Sequence, residues 1–412
     1  MSEPAIFVLI RDGDIRYFQD RFANVFLFRD LLWGPEALER WLSESDEIDD
    51  WTDDVVGGVV ADIDRRRLMW HGDDEMLRIP RKWSAYEKLL QAAWPGFEIG
   101  FATRGLRDLA AAAGESDAAD YEDETPARCE TVNEAAGFDS DELDDDPEDM
   151  YDDEDERAWV TVVDDEGVIR HRNLQEISED LIDGRESALR RVLELPPGDL
   201  PRESAVIEGM WIDEPRQEIG LWGGPRTRRA FGQMNSSWDG YAVMWADDGY
   251  SQQCAVSGPE GIPMTEAEAL GAFLPTVLST KRFDLASVFN AVGGQLKKTA
   301  AKATGCFVGL ICTPVLLFGA ISGSWKAVFI TVGIVVLFFV IVFKVVELRF
   351  KKKFAVAELA SDGEEGERPA VVGPLNEQVR RQELDGLLQR AGLPSIAEIE
   401  PHFASESIED LL

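Results

Sequence analysis

Two long apolar runs, close together, limit most strongly what this chain can fold into. The first is Gly305–Ser324, GCFVGLICTPVLLFGAISGS, twenty residues without Asp, Glu, Lys or Arg. The second is Ala327–Phe343, AVFITVGIVVLFFVIVF, which continues through Val345 and Val346 past Lys344. About 20 residues at a rise of about 1.5 Å cross the roughly 30 Å of hydrocarbon in a bilayer. Residues 304–324 and 327–347 are therefore expected to form two transmembrane helices. The connection Ser322–Lys326 is so short that the helices must be antiparallel neighbours, with Trp325 at the interface and Lys344 snorkelling to it.

Orientation follows from the flanks. Lys297, Lys298 and Lys302 precede the first run, and Arg349, Lys351, Lys352 and Lys353 follow the second, whereas the loop holds only Lys326. Positive charge stays on the cytoplasmic side. The expected localisation is thus the cell membrane, with two spans and both termini cytoplasmic. A buried apolar hairpin in a soluble protein would leave the matched basic flanks unexplained. Neither span carries Asp, Glu, Arg or His at mid-depth, which argues against a transporter. Gly305-x-x-x-Gly309 and Gly319-x-x-x-Gly323 permit close helix association. That pattern serves either homo-oligomer formation or, more simply, packing of the hairpin on itself. Upstream, residues 281–303 place Leu285, Val288, Phe289, Val292 and Leu296 at helical spacing, which suits an interfacial amphipathic helix or an ordinary connector.

Away from the hairpin the chain is acidic. Its 412 residues hold 41 Lys and Arg against 79 Asp and Glu, a formal charge of −38. Such a field repels nucleic acid, so no nucleic-acid partner is expected; the expected partners are the lipid bilayer and an unidentified protein. The acidity peaks between Asp139 and Glu156. Residues 114–156 are read as a disordered linker, either solubilising or a docking tail for a basic partner. A calcium loop is disfavoured by Leu143 and Asp144, which fall where an EF-hand needs a ligand and a glycine. The four cysteines form no Cys-x-x-Cys pair, and the opening MSEPAIFVLIRDGD lacks the features of a cleaved signal peptide.

The chain also repeats itself. Trp94-x-Gly96-Phe97-x-Ile99-x-Phe101-Ala102-x-x-Gly105 and Trp238-x-Gly240-Tyr241-x-Val243-x-Trp245-Ala246-x-x-Gly249 both fit W-x-G-[FY]-x-[IV]-x-[FW]-A-x-x-G. Upstream, in the same order, Gly58 to Gly72 resembles Gly209 to Gly224, pairing Trp70 with Trp222. Asp30–Leu38 likewise resembles Asp180–Leu189, and Phe7–Phe18 resembles Trp159–Arg172. Four ordered matches indicate a duplicated domain, residues 1–113 and 157–280. Each copy reads as a hairpin, a helix, a second hairpin and a final strand. The fold class is therefore α+β: two tandem copies of a small antiparallel-sheet-plus-helix unit, then the transmembrane hairpin and a short helical tail. The recurrent Trp70, Trp94, Trp222 and Trp238 read as fold-defining anchors rather than a ligand cage, and Gly96, Gly105, Gly240 and Gly249 as turn or packing residues.

After a flexible spacer over 354–374, residues 375–412 carry a stripe of Leu384, Leu387, Leu388 and Ala391 closed by Gly392. Ser395-x-x-Glu398 then forms a capping box. These short helices must dock, on the cytosolic domain or on a partner. His71, His171 and His402 have no metal-ligand spacing, and no nucleophile or phosphate-loop motif occurs. No catalytic, cofactor-binding or metal residue is assigned and no cofactor is expected. The expected function is a membrane-anchored, non-enzymatic recognition or adaptor protein. The alternatives are an enzyme with its site between the repeats, or a small oligomeric pore.

Overall fold

The computed structural model describes residues 3–45, 47–72, 75–121, 123, 128–137, 157–234, 237–258, 261–280 and 371–403. The transmembrane hairpin, with Gly305, Gly309, Gly319 and Gly323, lies outside them. Among the described residues no helix is long and apolar enough to cross a membrane.

The described residues belong to one compact unit with α+β architecture and two mixed sheets. The first sheet begins with a hairpin, β1 (Ala5–Arg11) and β2 (Asp14–Asp20), turned by Asp12 and Gly13. Both have positive φ, +54° and +76°, as a tight type I′ turn requires. The carboxylate of Asp64 accepts from the N–H of each, at 2.9 Å. Helices α1 (Leu27–Leu31) and α2 (Gly34–Ser43) follow, then the short β3 (Glu47–Ile48). A second hairpin joins β4 (Gly57–Asp62) to β5 (Arg67–His71), and α3 (Pro80–Ala93) leads to β6 (Glu98–Phe101) and α4 (Leu106–Ala113).

The second sheet is built from the same parts. It contains β7 (Arg157–Val163), β8 (Ile169–Leu174), β9 (Val206–Asp213), β10 (Glu218–Gly223) and β11 (Ala242–Trp245). Between them run α6 (Glu179–Ile182), α7 (Glu186–Glu194) and α8 (Pro225–Met234), and α9 (Gly249–Ser257) follows. The strand orders are β3-β2-β1-β4-β5-β6 and β11-β10-β9-β7-β8. Apart from β3 they correspond strand for strand, with the same sense at every pairing.

That pairing corrects the expectation of an antiparallel sheet. Each hairpin is antiparallel, but β1 pairs parallel to β4 and β5 parallel to β6, as β7 does to β9 and β10 to β11. The reason is connectivity: β2 and β8 return the chain to the end of the sheet where β1 and β7 began before β4 and β9 start there, and α3 and α8 carry it back across the sheet before β6 and β11. The sheets are consequently covered on both faces. Phe7, Val59 and Trp70 face the helices α1, α2 and α3, while Ile6, Val8 and Val60 face Leu106 and Leu109 of α4. In the second sheet Val160, Ile212 and Leu221 face α6, α7 and α8, and Trp159, Trp211 and Trp222 face Tyr250 of α9.

Three further boundaries differ from the expectation. Within the linker assigned to 114–156, residues 128–137 are folded. Thr131 caps α5 (Val132–Ala135), whose Val132 and Ala135 are buried in the second core. The end of the segment assigned to the second repeat, α10 (Glu266–Leu278), packs instead in the first core through Ala269, Leu270, Phe273, Leu274 and Val277. The C-terminal helices α11 (Glu377–Ala391) and α12 (Ile396–Ile399) join that same core through Leu384, Leu387, Leu388, Ile396 and Ile399. Their expected punctuation is present: Gly392 ends α11 with φ +69°, and Ser395 and Glu398 form the capping box.

Candidate functional site at the root of the apolar segment

The repeat-defining residues serve the fold. The indole N–H of Trp94 donates to the Leu31 carbonyl at 2.7 Å, and that of Trp238 to the Leu181 carbonyl at 3.2 Å. The two bonds tie corresponding strands to corresponding helices. Each indole also packs edge-on against the next aromatic of its motif, Trp94 on Phe97 and Trp238 on Tyr241. Gly96 and Gly240 turn the chain with φ of +79° and +86°. Gly105, with φ +61°, opens α4, whereas Gly249 leaves room for Trp222, whose Cγ would lie 2.0 Å from an added Cβ.

Trp70 and Trp222 are not equivalent, contrary to their pairing in the sequence. Trp70 stands opposite Val59, while Trp222 stands opposite Gly209, the counterpart of Gly58, which His71 faces in the first sheet. A shift of one residue moves a strand side chain to the other face. Trp70 accordingly stacks on Trp83 beneath α3, centroids 5.8 Å apart, and Trp222 lies under α9. There its indole donates to Gln253 Oε1 at 2.6 Å. Gln253 Nε2 in turn donates to the carbonyls of Trp159 and Met210 and to Thr161 Oγ1, at 2.9, 3.1 and 3.0 Å. His171 Nδ1 closes the network, 3.2 Å from Thr161 Oγ1. Burial and the adjacent Arg172 hold His171 below its ordinary value, so the imidazole is neutral in the fold.

None of these groups opens onto chemistry. Among the described residues no group of three or more His, Cys, Asp or Glu could hold a metal ion. The acidic hairpin turns cap themselves. Asp62 accepts from the Arg65 N–H at 2.8 Å, and Asp213 from the Arg216 N–H at 3.1 Å.

The least ordinary feature is a buried charge cluster where the chain leaves the described body and returns to it. Helix α10 brings the chain to residue 280, and description resumes at Val371, six residues before α11. Arg380, in the first turns of α11, is fully buried. Its Nε donates to the Val277 carbonyl at 2.8 Å, in the last turn of α10. Its Nη1 donates to the carbonyls of Val372 and Pro374, both at 3.1 Å. One guanidinium therefore fastens the chain on both sides of residues 281–370. The planar fork with several fixed donors suits this task, and the exposed carbonyls at the end of α10 favour a cation.

Helix α1 supplies the rest of the site. The Arg380 guanidinium lies 4.2 Å from the centroid of the Trp33 ring. Arg29 and Asp30, both buried, form an ion pair at 2.8 Å beside it. Burial, and then the neighbouring Arg29, lower Arg380 to about 10, still charged at neutral pH. Leu31, next to Asp30, is the residue that Trp94 grips, so the repeat motif and the cluster share one helix.

Known families, curated proteins and solved structures offer no match to this chain.

A second buried ion pair was not visible in the sequence either. Glu208 of β9 receives Arg128 in a two-pronged pair at 2.7 and 2.9 Å, the Ile177 N–H at 2.7 Å and the Thr227 hydroxyl at 2.6 Å. Burial alone would push this carboxyl up, but the guanidinium and the hydrogen bonds prevail and hold it below its ordinary value. Arg128 comes from the connector between the sheets, so this pair docks that connector onto the second sheet.

Proposed function

We propose that the chain is a membrane-anchored recognition module, held by a two-span hairpin over residues 304–347. The duplicated α+β body and the C-terminal helices lie together on the cytoplasmic side. The observation that carries this reading is the Arg380 clamp. It holds Val277 and Val372, which flank the apolar runs, within one packed body. A segment that leaves and re-enters one body can cross a bilayer only an even number of times. Two runs of spanning length meet that condition, and the basic flanks point both ends toward the cytoplasm.

A recognition role fits the side chains better than catalysis. The buried groups Arg380, Glu208 and Gln253 make their hydrogen bonds to the body's own backbone and side chains. Such groups rigidify a scaffold and do not present reactive atoms to a substrate.

The anchoring half is tested by alkaline carbonate extraction of membranes. The full chain is expected to stay in the pellet. A variant with residues 304–347 replaced by a Gly/Ser linker is expected in the supernatant, with the unfolding midpoint of the body unchanged. Release of the intact chain by carbonate would remove the membrane anchor from the account.

A further inference from the structure

In a chain of formal charge −38, helix α8 is an exception, with Arg226, Arg228 and Arg229 in its first turns. Arg228 is exposed and lies 5.3 Å from the ring centroid of Trp245 on the edge strand β11. Arg229 already holds a carboxylate of the connector: its Nη1 and Nη2 donate to Asp123 Oδ1 and Oδ2 at 3.1 and 2.6 Å. The surface thus pairs an arginine with an aromatic side chain, and Arg229 is already engaged by the class of group that Arg228 would take.

We propose that the acidic run of residues 139–156 docks on this surface of its own chain. The run holds thirteen Asp and Glu and no Lys or Arg, with Tyr151 to meet Trp245. Topology brings its two ends to α8. The run returns at Arg157, which pairs with Val206 where β9 begins, and β10 ends at that same end of the sheet, Gly223 opposite Glu208. Helix α8 starts two residues later. On the other side of the run, Arg128 and Thr227 of α8 share the Glu208 carboxylate, and α5 lies in one core with Ala230 and Met234 of α8. About 20 residues reach roughly 60 Å when extended, against about 15 Å for the length of α8. Tethering at both ends also supplies a high effective concentration. This inference does not depend on the membrane anchor.

The test uses the full chain in mild detergent, beside a version whose residues 139–156 are replaced by a Gly/Ser linker of equal length. A fluorescent peptide of sequence 138–156 is the probe, followed by anisotropy at low and high salt. The linker version is expected to bind the peptide at low salt and release it at high salt. The unaltered chain should bind it about tenfold more weakly, its own run holding the surface. In the linker version Arg226→Glu with Arg228→Glu should weaken binding by about tenfold or more, and Arg228→Glu alone in the same direction. Because Arg228 is exposed, the single variant keeps the test valid if the double variant folds poorly. Equal binding by the unaltered and linker versions, or unchanged binding after Arg228→Glu, would overturn the proposal.

Discussion

Replacing Arg128 by methionine is expected to destabilise the second sheet's domain by about 3–5 kcal/mol, among the largest losses a single substitution here can produce. The substitution leaves the Glu208 carboxylate buried, with the Ile177 N–H and the Thr227 hydroxyl but no counter-charge. Glu208→Gln together with Arg128→Met should recover part of the loss, because the buried charge then disappears along with its partner. Urea unfolding of the detergent-solubilised chain, followed by tryptophan fluorescence, measures both. The pH dependence has a definite sign. Glu208 is held below its ordinary value of 4.5, so its contribution is present above that pH and is lost as pH falls through the lower folded value. Arg128→Met leaves burial to push the same carboxyl up. The gap between the unaltered chain and the variant should therefore narrow as pH falls below 4.5.

Arg380→Met is expected to cost about 3 kcal/mol, as the buried Val277 and Val372 carbonyls and the half-buried Pro374 carbonyl lose a charged donor. Its effect should also be local. With Val277, Val372 and Pro374 released, the start of α11 loses its tie to the end of α10, and proteolysis near residues 371–380 should accelerate. Arg380→Lys should fall between, since a single ammonium cannot satisfy three acceptors in the geometry of a planar fork. Arg381→Met is the control: that side chain is half-exposed and pairs with Glu400 at the surface, where loss of an ion pair costs under about 1 kcal/mol.

Local chemistry was legible in the sequence. The Gly392 stop and the Ser395–Glu398 capping box each depend on neighbours a few residues apart, and each appears where its residues indicate. Parallel pairing was hidden, because it is set by the crossover of a whole helix. Helix α3 did carry a signal, Pro80 at its start with Trp83, Tyr86, Leu89 and Leu90 at helical spacing. The pairing of Trp70 with Trp222 failed for a different reason. Matching residue types across two diverged strands tolerates a one-residue slip, and that slip reverses which face is buried.

The Arg128–Glu208 ion pair that holds the connector and the Arg380 clamp that holds the tail were also missed, since Arg128 and Glu208, like Arg380 and Val277, lie far apart in the chain. Faint signals existed. Glu208 interrupts the strand Val206–Asp213, whose other members are almost all apolar. Arg380 lies on the same helical stripe as Leu384, Leu387 and Leu388, where a charge is out of place unless it is satisfied internally. The Gln253 network arose because the second copy places Trp159, Trp222 and Gln253 where the first has Ile6, His71 and Leu109. Two indoles stand where the first copy has an isoleucine and an imidazole, and the Gln253 amide accepts from the Trp222 indole.

In the proposed topology, one body fastens both ends of a segment that enters the membrane and returns. Labelling with a membrane-impermeant thiol reagent tests it most directly, in intact cells and after permeabilisation, with the four native cysteines replaced by serine. Single cysteines would stand before the runs (Ser279→Cys), between them (Ser324→Cys) and after them (Ser361→Cys). Ser324→Cys is expected to label in intact cells, and Ser279→Cys and Ser361→Cys only once the membrane is opened. Labelling of Ser279→Cys and Ser361→Cys from opposite sides, or of all three from the same side, would contradict that topology.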